Sequence, residues 1–132
     1  MMHSAERIYC MNQLLCVLIV EDPENDATPL LQALRHGGYE VVYAVVGTHA
    51  AMHAALKSQE WDVIISDYAM SHFSAPKALA LAKKLRPDLP FIIVSGEIDL
   101  NLAVSLIKEG ARDYIQKREL PRLVPAIRRE SR

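Results

Sequence analysis

Residues able to do chemistry stand at the ends of several apolar runs in this sequence. They comprise three carboxylates, a hydroxyl and an ammonium group: Glu21, Asp22, Asp67, Ser95 and Lys117. In an open parallel sheet, ligands bind where the carboxyl ends of the strands meet. If the apolar runs are parallel strands of one sheet, we expect these five side chains to converge at one edge.

Such a cluster favours metal-assisted phosphoryl chemistry. Two carboxylates about 4 Å apart repel by roughly 4 kcal/mol at an effective dielectric near 20, so three of them call for a cation. Oxygen ligands without Cys or His suit Mg²⁺. A carboxylate such as Asp67 beside the metal can be a nucleophile towards phosphorus, with Ser95 and Lys117 contacting the phosphoryl oxygens. The alternative is that acidic residues after strands only cap helices.

The elements that must position these side chains are short strands alternating with helices. Apolar runs occur at residues 15–20, 41–46, 63–65 and 91–94, with a weaker fifth at 114–115, and the segments between them show helical periodicity. Continuous apolar strands joined by helices indicate a parallel sheet covered on both faces. We therefore predict an α/β fold: a flavodoxin-like, doubly wound, five-stranded parallel sheet of order 2-1-3-4-5 in three α/β/α layers.

Prolines and a serine mark the expected helix boundaries. Ser74 can cap the third helix, with Pro76 in its first turn. Pro29 conflicts with the first helix unless that helix begins at Thr28. Pro125 conflicts with the last helix unless it lies in the first turn.

Composition limits the chain to one domain of balanced charge. Its 132 residues carry 15 Lys and Arg against 16 Asp and Glu, for a net charge of −1, and 51% are apolar. No general basic field exists to hold nucleic acid or an anionic membrane. The apolar run at 14–20 is too short to span a bilayer, and two cysteines make no disulfide framework, so we expect a reducing, cytoplasmic location. We predict a flexible leader at residues 1–13 and a domain at residues 14–130.

Four motifs resemble the receiver domains of two-component response regulators. They are VLIVED (17–22), DVIISDYAM (62–70), FIIVSG (91–96) and GARDYIQK (110–117). The resemblance covers about residues 14–130, and the spacings from Asp22 to Asp67 and from Ser95 to Lys117 are typical of the family. The sequence also resembles the variant receiver domains found at the amino terminus of multidomain sensor proteins.

The resemblance implies a role for each motif residue. Asp67 corresponds to the aspartate that takes a phosphoryl group from a histidine kinase or phosphotransfer protein. Asp22 corresponds to a direct Mg²⁺ ligand, Glu21 to its acidic neighbour acting through water, and Ala69 to the residue whose backbone carbonyl binds the metal. Phosphoryl lifetime would depend on the side chains beside the site, Ala69 and Glu97.

The resemblance further implies a switch and its partners. Ser95 corresponds to the switch hydroxyl, Tyr114 to the switch aromatic and Lys117 to the lysine that pairs with the phosphoryl group. Phosphorylation would then shift the packing of the fourth helix, fifth strand and fifth helix, a face that binds a downstream effector domain or protein or forms a homodimer. We expect no enzyme activity beyond self-catalysed phosphotransfer and dephosphorylation, no direct contact with nucleic acid or membrane, and an output in another polypeptide or in sequence beyond Arg132.

Two departures from the family pattern concern the loops. Arg118 stands where members usually carry proline, often after a cis peptide, so a cis bond is not expected and the direction of Lys117 is left open. Ser71 also replaces a proline, and HFSAPKALA (72–80) replaces a glycine-containing turn, so we expect the entry to the third helix to depart from the family pattern.

Other functions remain as alternatives. A small-molecule phosphatase of the haloacid dehalogenase type would use the same aspartyl phosphate, but its second acid would fall at Ala69. A binding module that needs no phosphate is a further alternative. His49 and His53 have a spacing that can bind metal, but no adjacent third ligand, so exposed helix residues are expected there.

Overall fold

The computed structural model describes residues 13–96 and 99–130. These residues form the strands β1 (Gln13–Val20), β2 (Tyr39–Val46), β3 (Val63–Ser66), β4 (Phe91–Ser95) and β5 (Asp113–Gln116). The helices are α1 (Thr28–His36), α2 (His49–Ser58), α3 (Ala75–Leu85), α4 (Leu100–Lys108) and α5 (Leu123–Glu130), with a 3-10 helix (Lys117–Arg122) after β5. None of the helices in the described ranges is long and apolar enough to cross a membrane.

The predicted leader lies almost wholly outside the described residues. Only Gln13 belongs to them, and it begins β1, where it pairs with Tyr39 of β2. The first strand therefore starts two residues before its apolar run at 15–20, because backbone pairing with β2 continues past the buried side chains.

The sheet has the predicted topology. All pairings are parallel and the strand order is β2-β1-β3-β4-β5. Val20, the last residue of β1, lies opposite Val46 of β2 and Ser66 of β3. The carboxyl ends of these three strands are therefore level, and the residues that follow β1 and β3 lie side by side.

Each face of the sheet carries its own apolar core. Alternate residues of a strand point to opposite faces, so Leu18 packs with Ile64 on one face while Ile19 packs with Ile65 on the other. Helices α2, α3 and α4 cover the first face, and α1 and α5 cover the second. The result is the predicted three-layer α/β/α arrangement, in which the central strands are held rigidly from both sides.

The structure resolves both proline conflicts. Helix α1 begins at Thr28 with Pro29 in its first turn, where the missing N–H has no helical partner to lose. Pro125 is the third residue of α5, because the 3-10 helix containing Pro121 ends before α5 starts. The predicted cap of α3 is present: Ser74 Oγ accepts a hydrogen bond from the Lys77 N–H at 3.3 Å.

Candidate functional site

The five predicted side chains belong to residues at the carboxyl edge of the sheet: Glu21, Asp22, Asp67, Ser95 and Lys117. Backbone hydrogen bonds extend the ladder past the strand ends. The Asp67 N–H donates to the Val20 carbonyl at 2.9 Å, and the Glu21 N–H donates to the Val46 carbonyl at 2.9 Å. The sheet thus fixes the backbone of Glu21 relative to that of Asp67.

Glu21, Asp67 and Lys117 form a charged group at this edge. Lys117 Nζ lies 3.7 Å from Glu21 Oε1, and the Glu21 side chain is only 9% exposed against 48% for Lys117. The Glu21 and Asp67 side chains also interact with each other, since Asp67 is among the causes that raise the pKa of Glu21. The peptide bond from Lys117 to Arg118 is trans, as expected without proline.

The pKa of Glu21 is raised above its ordinary value. Burial is the main cause, because it penalises the charged form. The Lys117 ammonium opposes the rise, while the negative charge of Asp67 and its hydrogen bond add to it. Asn25 Nδ2, which donates to Glu21 Oε1 at 3.1 Å, opposes it weakly. Burial of the Glu21 carboxyl group therefore outweighs the attraction of Lys117.

This raised pKa predicts a pH dependence of stability. The folded protein holds the Glu21 proton more tightly than the unfolded chain does, so stability should fall as pH rises from the unfolded pKa of Glu21 through its raised folded pKa. We expect Glu21→Gln to remove that fall. The measurement is the free energy of unfolding in urea over this pH range with EDTA present, and the control is Glu40→Gln on the exposed side of β2. Curves for Glu21→Gln and wild type that stay parallel would contradict the prediction.

A cavity of about 230 Å³ opens beside Asp67. Asp67, Glu21 and Lys117 all line it, so these three side chains face the same space. Its apolar wall comes from α1, β4 and the 3-10 helix, through residues that include Leu30, Val94 and Leu120. The Asp67 carboxylate is held at the rim of this space, where its Oδ1 accepts a hydrogen bond from the Tyr68 N–H at 2.9 Å.

The carboxylate of Asp22, the expected Mg²⁺ ligand, is hydrogen-bonded to Ser71. The Ser71 N–H donates to Asp22 Oδ1 at 3.0 Å and to Oδ2 at 3.1 Å, and Ser71 Oγ donates to Oδ2 at 3.1 Å. An antiparallel bridge between Ala69 and Ser74 closes the loop that carries Ser71. Within residues 13–96 and 99–130, no three His, Cys, Asp or Glu side chains come close enough together to hold a metal ion. Asp22 is thus held by Ser71, while Glu21 and Asp67 line one cavity together.

The residues nevertheless have the chemistry that Mg²⁺ requires. Asp22 and Asp67 offer hard carboxylate oxygens, and both follow neighbouring strands of the sheet. The Asp67 charge disfavours the ionised form of Glu21, and a bound cation would favour that form. Ala69 lies in the loop directly after Asp67, with its backbone carbonyl as a further oxygen donor. The donor set fits the metal once Asp22 turns away from Ser71.

Ser95 and Tyr114 lie on neighbouring strands. Ser95 ends β4 and its side chain is buried, while Tyr114 lies in β5 opposite Ile93 and packs against the core beneath α4. In the part of the chain that the structure describes, the Tyr114 hydroxyl is buried without a hydrogen-bond partner. A buried hydroxyl without a hydrogen-bond partner destabilises a fold by about 1–3 kcal/mol, so this inward position of the ring leaves one polar group unsatisfied. Glu97, the other expected neighbour of the site, lies outside the described residues.

The two histidines on α2 do not form a metal site with a third ligand among the described residues. Their rings stack with centroids 6.3 Å apart, and His49 meets Phe73 edge to face at 6.1 Å. His49 is exposed, as expected, whereas His53 is half-buried.

Sequence reasoning missed two features of the site. The hydrogen bonds of Ser71 to Asp22 join residues far apart in the chain, and only the replacement of proline by serine marked the position as unusual. The cavity wall formed by Leu120 depends on the 3-10 helix, for which the periodic pattern gave no signal.

Comparison with protein families gives one clear match. The model described as the response regulator receiver domain matches residues 17–128. A curated relative is the DNA-binding transcriptional regulator NtrC of Bradyrhizobium sp. (strain RP501 Parasponia), 33% identical over 101 residues that make up 76% of this chain and 21% of that protein. The chain thus spans about a fifth of the length of the curated relatives it matches.

Solved structures share the fold over most of the chain. The CheY-like response regulator receiver domain protein from Methanospirillum hungatei JF-1 is 25% identical with a TM-score of 0.71, covering 90% of this chain and 98% of that one. A response regulator protein from Burkholderia pseudomallei, solved with a phosphorylated aspartic acid, calcium ion and citrate, is 23% identical with a TM-score of 0.69 and covers 86% of this chain and 65% of that one.

Proposed function

Because this chain belongs to the response regulator receiver domain family, we propose that Asp67 accepts a phosphoryl group from a histidine kinase or phosphotransfer protein. The observation that carries the proposal is the position of Asp67 at the end of the central strand β3, facing one cavity together with Glu21 and Lys117. The phosphorylated aspartic acid and calcium ion of the Burkholderia pseudomallei protein support this chemistry.

The protein groups used in the transfer all belong to residues at this edge of the sheet. A carboxylate oxygen of Asp67 attacks phosphorus, a P–O bond forms, and the P–N bond to the donor histidine breaks with its electron pair staying on the imidazole. The Lys117 ammonium balances charge on the phosphoryl oxygens, and the Ser95 hydroxyl donates a hydrogen bond to one of them. Water reverses the modification by attacking the same phosphorus and releasing phosphate.

Magnesium has a defined place in this proposal. Asp22, Asp67 and the backbone carbonyl of Ala69 would hold it directly and Glu21 through water. When bound, it neutralises the carboxylates and the phosphoryl oxygens. Asp22 must first give up its hydrogen bonds to Ser71.

The output of the switch is a change of surface near α4. Phosphorylation draws Ser95 towards the phosphoryl group and gives the partly buried Tyr114 ring, whose hydroxyl is buried, a new neighbour. Large apolar side chains of α4, including Leu100, Val104 and Ile107, are exposed in the unmodified protein. A downstream effector domain or protein, or a second copy of this chain, would bind here in the cytoplasm. The receiver function is favoured over a phosphatase because Ala69 occupies the position of the second acid.

The direct test is phosphorylation by a small-molecule donor. Wild-type protein incubated with Mg²⁺ and acetyl phosphate is expected to gain the mass of one phosphoryl group, whereas Asp67→Asn is not. Asp88→Asn, which changes an exposed loop carboxylate paired with Arg86, should behave like wild type. An adduct that survives Asp67→Asn would refute Asp67 as the acceptor. No adduct on wild-type protein would refute the proposal and leave a binding module that needs no phosphate.

A further inference from the structure

We propose that Ser71 acts as a latch on Asp22: it holds both carboxylate oxygens in hydrogen bonds that Mg²⁺ must displace, and so lowers the affinity of this receiver for Mg²⁺. The inference rests on the proposed function, since it takes Asp22 as a metal ligand. It goes beyond that function because Ser71, which is not itself a metal ligand, controls the affinity for Mg²⁺.

The geometry of the Ser71 contact supports a latch. Both Asp22 oxygens are engaged, Oδ1 by the Ser71 N–H at 3.0 Å and Oδ2 by the same N–H at 3.1 Å and by Ser71 Oγ at 3.1 Å. A carboxylate has about four lone-pair sites, so these three contacts leave little capacity for a cation. Asp22 is itself buried, which limits the water that could replace Ser71.

The Asp22 carboxylate is not part of the cavity that Glu21 and Asp67 share. Those two side chains line the cavity and Asp22 does not, and no three acidic side chains in residues 13–96 and 99–130 come close enough to hold a metal ion. Since Asp22 follows Glu21 directly in the chain, its backbone lies at the same edge. Its side chain is instead held by the hydrogen bonds to Ser71.

The loop that carries Ser71 is itself braced. The bridge between Ala69 and Ser74 closes it, Phe73 is buried in the core, and Ser74 caps α3. A braced loop presents the two Ser71 donors in a fixed place, so the hydrogen bonds cost little entropy to form. Turning Asp22 towards Asp67 breaks them.

The energetic consequence follows from the two positions of Asp22. If only a fraction of molecules holds Asp22 in the metal-binding position, the apparent dissociation constant for Mg²⁺ rises by the inverse of that fraction. Removing the Ser71 hydroxyl removes one of the charge-assisted contacts that hold the latched position. We therefore expect Ser71→Ala to bind Mg²⁺ about three- to tenfold more tightly than wild type.

The test is a Mg²⁺ titration of unphosphorylated protein followed by amide NMR, which needs no phosphoryl transfer. Wild type, Ser71→Ala, Ser71→Thr and Asp22→Asn are compared. Ser71→Thr keeps both donors and should match wild type. Ser58→Ala is the control for loss of a hydroxyl elsewhere, since Ser58 Oγ donates only within α2. In wild type, the Ser71 amide resonance should shift as Mg²⁺ binds, because its carboxylate acceptor leaves.

Each outcome separates the latch from the proposed function. Tighter binding by Ser71→Ala, with a shifted Ser71 amide in wild type and lost affinity in Asp22→Asn, supports the latch. Equal or weaker binding by Ser71→Ala, while Asp22→Asn still loses affinity, overturns the latch and leaves the magnesium site intact. If wild type binds no Mg²⁺ or Asp22→Asn binds it equally well, the metal assignment of the proposed function fails, and the latch fails with it.

Discussion

Replacing Lys117 with methionine is expected to slow phosphoryl transfer from acetyl phosphate to Asp67 about ten- to a hundredfold. Lys117 and Asp67 line one cavity, and Lys117 is the ammonium nearest to the Glu21 and Asp67 pair. A preorganised hydrogen-bond donor placed where negative charge develops in the transition state speeds a reaction about a hundred- to a thousandfold. Lys117 is half exposed, so water screens part of its field and the expected effect lies below that range.

The measurement is the rate of adduct formation by intact mass at saturating Mg²⁺. Methionine keeps the length of the side chain and removes the charge. Lys57→Met, at the exposed end of α2, is the matched control and should react at the wild-type rate. An unchanged rate for Lys117→Met would show that Lys117 serves only to balance the charge of Glu21.

The fold follows from patterns that are local in the chain. Each apolar run is short and continuous, which indicates a strand buried on both faces, and the helical segments between the runs leave room only for parallel connections. The same reasoning places Asp67 next to Glu21, because β1 and β3 are neighbours and end level with each other. Sequence analysis therefore predicted which backbones meet at the edge.

The direction of a side chain is harder to predict than the place of its backbone. Asp22 was expected to join Asp67, but its carboxylate turns to Ser71 because two donors on a distant loop reach it there. No periodic pattern reports such a contact, since it depends on how the loop between β3 and α3 closes. The Ala69 to Ser74 bridge that closes it is likewise absent from any local pattern.

The segment after β5 shows the same limit for backbone structure. Pro121 and Pro125 both fell in the predicted last helix, and the sequence alone did not divide that segment. The structure divides it into a 3-10 helix and α5, with a non-helical Glu119 (φ −114°, ψ 27°) inside the first. The division matters for the site because it places Lys117 at the rim and Leu120 in the wall of the cavity beside Asp67.

Replacing Ile64 with alanine is expected to lower the free energy of unfolding by about 2–5 kcal/mol. Ile64 is fully buried in β3, opposite Leu18 and Phe91, so truncation leaves a cavity that the rigid sheet cannot close. For a domain whose total stability is about 5–15 kcal/mol, this is a large fraction. Urea unfolding measures the loss, and Leu100→Ala, at a side chain that is 74% exposed, should change stability by less than about 0.5 kcal/mol.

The same variant separates packing from chemistry at the site. The Asp67 N–H still donates to the Val20 carbonyl when Ile64 is shortened, because that bond belongs to the backbone ladder. At a temperature where Ile64→Ala is fully folded, Asp67 should therefore react with acetyl phosphate at close to the wild-type rate. A folded Ile64→Ala protein that reacts much more slowly would show that core packing beneath β3 also sets the position of the Asp67 carboxylate.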